Sequence, residues 1–132
     1  MNKRLVGILL LVVQCIVYLS SCAYAESVLP CADEVFSEAT IVLYKGKYVT
    51  YTASSVYTLA SIAVTSAHLE VKVDGEWTFV CNLTCPPSRT NTFDFTHTMY
   101  YTDQISTGTY RVVATFTADG HSITRTSNER TY

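Results

Sequence analysis

Charge is scarce in this 132-residue chain and nowhere concentrated. Asp, Glu, Lys and Arg make up 15% of the residues, and past residue 25 the basic ones stand singly at Lys45, Lys47, Lys72, Arg89, Arg111, Arg125 and Arg130. Nucleic acid and anionic lipid are held by clustered cations, so this scatter argues against both as partners. Glycine and proline number only five and three, and no glycine-rich phosphate loop can be drawn from them. No repeat, low-complexity block or internal linker divides the chain. The three histidines, His68, His97 and His121, never fall at the tight spacing of zinc ligands, and Cys81-x3-Cys85 is the only short cysteine pair. No serine sits in a G-x-S-x-G elbow, and nothing local marks a cysteine as a nucleophile. Glu70 and Glu76 are expected on a solvated face with Lys72 as their partner, rather than as opposed glycosidase carboxylates. The expectation is a protein with no catalytic residues, no metal and no cofactor.

Long apolar runs are absent too, with one exception at the start. Asn2, Lys3 and Arg4 precede an apolar stretch over residues 5–19, and Ser20-Ser21-Cys22-Ala23-Tyr24-Ala25 follows with an A-x-A ending. That order is the pattern of a secretory signal peptide, residues 1–25. The stretch is short against the ~20 residues of a membrane span. Leu19-Ser20-Ser21-Cys22 also resembles a bacterial lipobox, so two cleavages compete. Cutting after Ala25 releases a soluble extracellular protein. Cutting before Cys22 leaves it lipid-anchored at the outer face of the membrane, the one route by which a membrane becomes a partner. Release is favoured, because the A-x-A site lies at a normal distance from the apolar run. The released chain loses Lys3 and Arg4, so seven basic residues face eleven acidic ones, a net charge of about −4.

Release leaves Cys31, Cys81 and Cys85. An oxidising compartment permits one disulfide among them, with one thiol left over. A bridge from Cys31 to Cys81 or to Cys85 closes a long loop and is preferred over the local pair, worth ~2–4 kcal/mol if unstrained.

Residues 26–39 are polar, acidic and contain Pro30. They read as a flexible lead-in with at most a helical turn around Asp33. From residue 40 to 132, Thr, Val, Tyr, Ile and Phe dominate, the residues that pack on a pleated surface. Two short strands flank Lys45-Gly46-Lys47. Leu59-Ala60-Ser61-Ile62-Ala63 is the weakest strand signal and stays open between strand and helical turn. Asp74-Gly75 and Asp119-Gly120 each mark a hairpin. At the first, a three-residue loop with Gly75 left-handed would gather Leu69, Val71, Trp77 and Phe79 on one face, a clean partition that favours this register. At the second, a two-residue loop at Gly120 pairs Phe116 with Ile123 and lines Tyr110, Val112, Ala114 and Phe116 on one face. Phe93, Phe95, His97, Met99 and Tyr101 alternate with polar residues in a further strand. About seven antiparallel strands with regular turn signals describe a single all-β sandwich.

Thr107-Gly108-Thr109-Tyr110-Arg111-Val112-Val113-Ala114 resembles the penultimate strand of an immunoglobulin-like or fibronectin type III-like domain. The resemblance implies a tyrosine corner, with the Tyr110 hydroxyl on a nearby backbone group, and a core role for Trp77. The Cys–Trp–Cys spacing of antibody domains is missing, so their disulfide is not implied. The chain also resembles a family of small uncharacterised secreted proteins of Gram-positive bacteria. The residues that carry this are the Val73-Asp74-Gly75-Glu76-Trp77 hairpin, Gly108-Thr109-Tyr110-Arg111, and the end from Ala118-Asp119-Gly120-His121 through Ser127-Asn128-Glu129-Arg130-Thr131. That likeness spans residues 61–132 and implies fold and compartment, not activity.

Tyrosine is the most suggestive surplus, ten residues in all. Its broad ring and polar tip suit contact surfaces. Tyr48, Tyr51, Tyr100 and Tyr101 are therefore the candidate binding residues. The expected function is non-catalytic binding, at or outside the cell envelope, of an extracellular protein or an envelope component. A toxin-like secreted effector, a small extracellular hydrolase and one chain of a larger assembly completed through an open strand edge are the alternatives.

Overall fold

The computed structural model describes residues 32–132. The signal peptide, Cys22, Cys31 and the first part of the lead-in lie outside them. A helical turn α1 (Ala32–Val35) leads into β1 (Glu38–Leu43), β2 (Tyr48–Val73), β3 (Glu76–Asn82), β4 (Arg89–Tyr100), β5 (Thr109–Ala118), β6 (His121–Thr126) and the short β7 (Arg130–Thr131). All pairings are antiparallel and join the strands into one open seven-stranded sheet. The all-β, seven-strand expectation holds. The domain starts earlier than its composition indicates: β1 begins at Glu38, and Val35 and Phe36 are buried in the core. Their apolar side chains draw the end of the lead-in onto the sheet.

β2 organises everything else. Its first part, from Tyr48 to Ser54, pairs with β1 along one edge and β4 along the other; its last part pairs with β5 and β3 in the same way. Register shifts between Ser54 and Leu59 and between Val64 and Ser66 break the ladder midway. Bulges bend a strand, and here the two parts of β2 enclose one core. The Tyr51 ring from the first part meets the edge of Phe116 from β5 at 6.5 Å. The Leu59–Ile62 stretch is strand, in unbroken register with β4 from Leu59 opposite Thr92 to Ile62 opposite Arg89, and both residues are buried. Asp119 pins this bend, its carboxylate accepting hydrogen bonds from the Ala60 and Ser61 amides at 3.1 Å each.

Both hairpins turn on Asp-Gly with two left-handed residues, Asp74 (φ 50°) with Gly75 (φ 88°) and Asp119 (φ 46°) with Gly120 (φ 85°). This is the two-residue turn whose twist matches that of the flanking strands. The Gly120 hairpin has the expected register, Phe116 opposite Ile123, with Tyr110, Val112, Ala114 and Phe116 buried. The Gly75 hairpin does not. Val73 faces Glu76, Lys72 faces Trp77, Val71 faces Thr78 and Glu70 faces Phe79, and a bulge before Leu69 then restores Leu69 opposite Cys81. Trp77 and Phe79 therefore share the outer face with Lys72 and Glu70, and Trp77 is not the core tryptophan. The two-residue turn sets the register, and the bulge returns β3 to phase with the core.

The C-terminal segment is a latch. The Ser127 amide donates to the Val112 carbonyl at 2.8 Å, and the Val112 amide donates to Ser127 Oγ at 2.9 Å. The Asn128 side chain accepts from the Leu43 amide at 2.8 Å and donates back to the Leu43 carbonyl at 3.0 Å. One amide side chain thus stands in for a neighbouring strand at the end of β1 and closes part of that edge.

Candidate functional site: an aromatic row on the outer sheet face

The four candidate tyrosines separate into two pairs. Tyr51 is wholly buried at 0% exposure, and Tyr101 is buried too. They are core residues, not binding residues. Alternation explains the correction: Val49, Tyr51 and Ala53 share the inward parity of β2, opposite Met99, His97 and Phe95 of β4. The Tyr101 hydroxyl donates to the Thr84 carbonyl at 2.7 Å, and the Tyr51 hydroxyl pairs with it at 3.1 Å. Burial first, then the bond to Tyr101, pushes the Tyr51 phenol far above its ordinary value of 10.0. Burial likewise raises Tyr101, against the opposing effect of the Tyr51 bond. Their task is to tie the connection after β3 to the core.

Tyr48 and Tyr100 lie on the other parity and face out, directly opposite each other. Their ring centroids are 5.5 Å apart, tilted by 43°. Tyr44 adds a third ring, stacked on Tyr48 at 4.5 Å and 9°. The turn beneath is tight: the Lys47 amide donates to the Tyr44 carbonyl and the Tyr44 amide to the Tyr48 carbonyl, both at 3.0 Å. Gly46 is required there, because a side chain would come within 2.9 Å of the Tyr48 ring. The Tyr132 hydroxyl donates to the Tyr44 carbonyl at 2.6 Å, and the Tyr101 amide donates to the Lys47 carbonyl at 2.9 Å. Three rings are thus held in line, and the outermost, Tyr100, is 71% exposed. Tyr44, on the β1–β2 turn, thus joins Tyr48 and Tyr100 as a residue of the row.

A second cluster lies on the outer face of β2, β3 and β5. The Glu70 carboxylate accepts from Arg111 Nε at 2.6 Å and lies 3.3 Å from His68 Nε2. Burial alone would raise the Glu70 carboxyl; the bonds from Arg111 and His68 outweigh it and hold it below its ordinary 4.5. The Arg111 guanidinium lies 4.2 Å from the centre of the Trp77 ring, and Lys72 Nζ is 5.3 Å from it. Lys72 pairs with Glu129 at 3.5 Å rather than with Glu70 or Glu76. The reason is register, since Glu70 stands directly opposite Arg111. Each charge here is matched, so the cluster covers Trp77 and leaves no unpaired ion to recruit a ligand.

The remaining candidates are quickly placed. Tyr110 is buried, and its hydroxyl reaches back four residues to the Ser106 hydroxyl at 3.0 Å, a side chain in place of the backbone group that a tyrosine corner uses. Gly108 lies two residues before it at φ 143°, a conformation strained for any side chain, and a Cβ there would press to 3.3 Å against both Tyr110 and Val71. Cys81 and Cys85 are both half-buried and unbridged, and burial pushes the Cys85 thiol up. The bridge from Cys31 falls outside the described residues. Among the described residues no group of acidic, histidine and cysteine side chains is gathered as for a metal ion. Among the described residues no helix is long and apolar enough to cross a membrane. No family model matches the chain, and neither does any curated protein or solved structure.

Proposed function

We propose that this protein is a non-catalytic binding module of the extracellular space or cell envelope, and that it engages its partner through Tyr44, Tyr48 and Tyr100. The observation that carries this reading is the state of Tyr100, a large ring left 71% exposed yet backed by two further rings. Exposed single apolar residues are ordinary. An exposed ring already ordered in a stacked row is different, because little side-chain entropy remains to be lost on contact. The signal-peptide pattern at residues 1–25 supports the compartment. Cosedimentation of the purified protein with isolated cell envelopes tests the reading. Tyr100→Ala is expected to reduce the bound fraction several-fold, and Tyr57→Ala, which removes an exposed ring at the bend of β2, is expected to leave it unchanged. Equal binding by all three proteins refutes it.

A further inference from the structure

The surface behind the tyrosine row indicates what the row takes. Pairing across β1, β2 and β4 sets the outer residues in ranks. After Tyr48 and Tyr100 comes Val42–Thr50–Thr98, then Thr40–Thr52–Thr96, and only then the charged pair Glu38 and Asp94 with Ser54 between them. Thr50 and Thr98 share a hydroxyl–hydroxyl bond at 2.9 Å. The rings and the two ranks behind them carry no ionised side chain. Lys45 and Lys47 belong to the turn beyond the rings. The face thus offers phenol rings and hydroxyls, with one valine as its only aliphatic side chain.

From this chemistry we propose that the ligand of the tyrosine row is a neutral polysaccharide, an inference that rests on the row being the binding surface. The face of an aromatic ring is the negative pole of its quadrupole. A pyranose presents a face of C–H bonds carrying the opposite partial charge, rimmed by hydroxyl groups. Tyr100 supplies the ring face, and the Tyr48 and Tyr44 hydroxyls with the paired Thr50 and Thr98 supply donors and acceptors alongside. A charged peptide or acidic glycan finds no fixed counter-charge in the two ranks behind the rings, and an apolar helix finds no aliphatic groove. Charge neutrality selects the carbohydrate.

Cosedimentation with isolated cell walls, treated either with pronase to strip protein or with periodate to open the vicinal diols of sugars, distinguishes these ligands. The purified protein is expected to bind pronase-treated walls fully and periodate-treated walls at least fivefold less. Tyr100→Ala is expected to weaken binding about tenfold and Tyr100→Phe, which keeps the ring face, by no more than about twofold. Affinity electrophoresis through a neutral β-glucan, galactomannan or xylan is expected to retard the wild type and not Tyr100→Ala. Unchanged melting temperatures show that the variants are folded. Binding that pronase abolishes and periodate spares, while Tyr100→Ala still weakens it, overturns the carbohydrate and keeps the row. Retardation by alginate or hyaluronate alone, relieved by Lys47→Ala, overturns the neutral class. Binding indifferent to Tyr100→Ala overturns both.

Discussion

The buried Tyr51–Tyr101 pair makes a prediction whose sign, not only size, follows from proton positions. The Tyr101 proton is committed to the Thr84 carbonyl, so the Tyr51 hydroxyl is the donor to the Tyr101 oxygen. Tyr51→Phe therefore removes a donor and leaves Tyr101 bonded to Thr84. That costs ~1 kcal/mol, the net worth of one ordinary hydrogen bond. Tyr101→Phe is worse. It strands the Tyr51 hydroxyl at a position with 0% exposure and also takes the donor from Thr84. A stranded buried polar group costs ~1–3 kcal/mol, so the total is ~2–3 kcal/mol. In the double variant the stranded hydroxyl is itself gone. Adding Tyr51→Phe to Tyr101→Phe should therefore restore ~1 kcal/mol rather than cost more. Urea denaturation of the four proteins measures this, with unchanged m-values showing that the denatured state is unaffected. For a domain of this size Tyr101→Phe should lower Tm by ~10–20 °C and Tyr51→Phe by ~5 °C. The reasoning fails if Tyr51→Phe costs as much as Tyr101→Phe, or if the double variant is the least stable of the four.

Alkali addresses the same pair. Both phenols are raised in the folded state, so their contribution is fully present below the unfolded value of 10.0 and is lost as pH rises beyond it. Stability should fall above about pH 10 at up to ~1.4 kcal/mol per pH unit for each proton retained, and the double Phe variant should fall less steeply. Glu70 acts at the other end. Its depressed carboxyl contributes stability that is present above 4.5 and lost as pH falls through the folded value, so Glu70→Gln should flatten the acid limb of urea midpoint against pH. Trp77 is the only tryptophan, so Arg111→Ala should red-shift its emission and increase acrylamide quenching, whereas a Trp77 buried in the core would respond to neither. Asn128→Ala unpairs the Leu43 amide, and it should cost ~2–3 kcal/mol and accelerate exchange at that amide above others in β1.

Local chemistry carried most of the fold into view. The Asp119-Gly120 hairpin has its expected register because the turn type and the alternation from Tyr110 to Phe116 agree. At Asp74-Gly75 the two conflict, and a reading by alternation alone put Trp77 and Phe79 inside. A one-residue bulge in β3 reconciles a two-residue turn with a core that still receives Leu69 and Cys81, and a bulge leaves no mark in composition. Leu59 and Ile62 are both buried at a spacing of three, which imitates a helical turn, although the stretch is strand paired with β4. Tyr100 and Tyr101 are neighbours, so one had to face in; Phe95 on the parity of Tyr101 already pointed to which. The pairings Glu70 with Arg111 and Leu43 with Asn128 join residues 41 and 85 positions apart. Nothing local announces such contacts, so the latch and the cover over Trp77 came from the structure alone.

The most direct measurement is where a partner lands. Adding solubilised, pronase-treated wall polysaccharide to 15N-labelled protein and following amide shifts maps the contact without reference to any mutation. Shifts are expected to concentrate at Tyr44, Lys47, Tyr48, Thr98 and Tyr100. Shifts confined to the bend at Val56 and Tyr57, or to Phe79 and Val80 on β3, would contradict it.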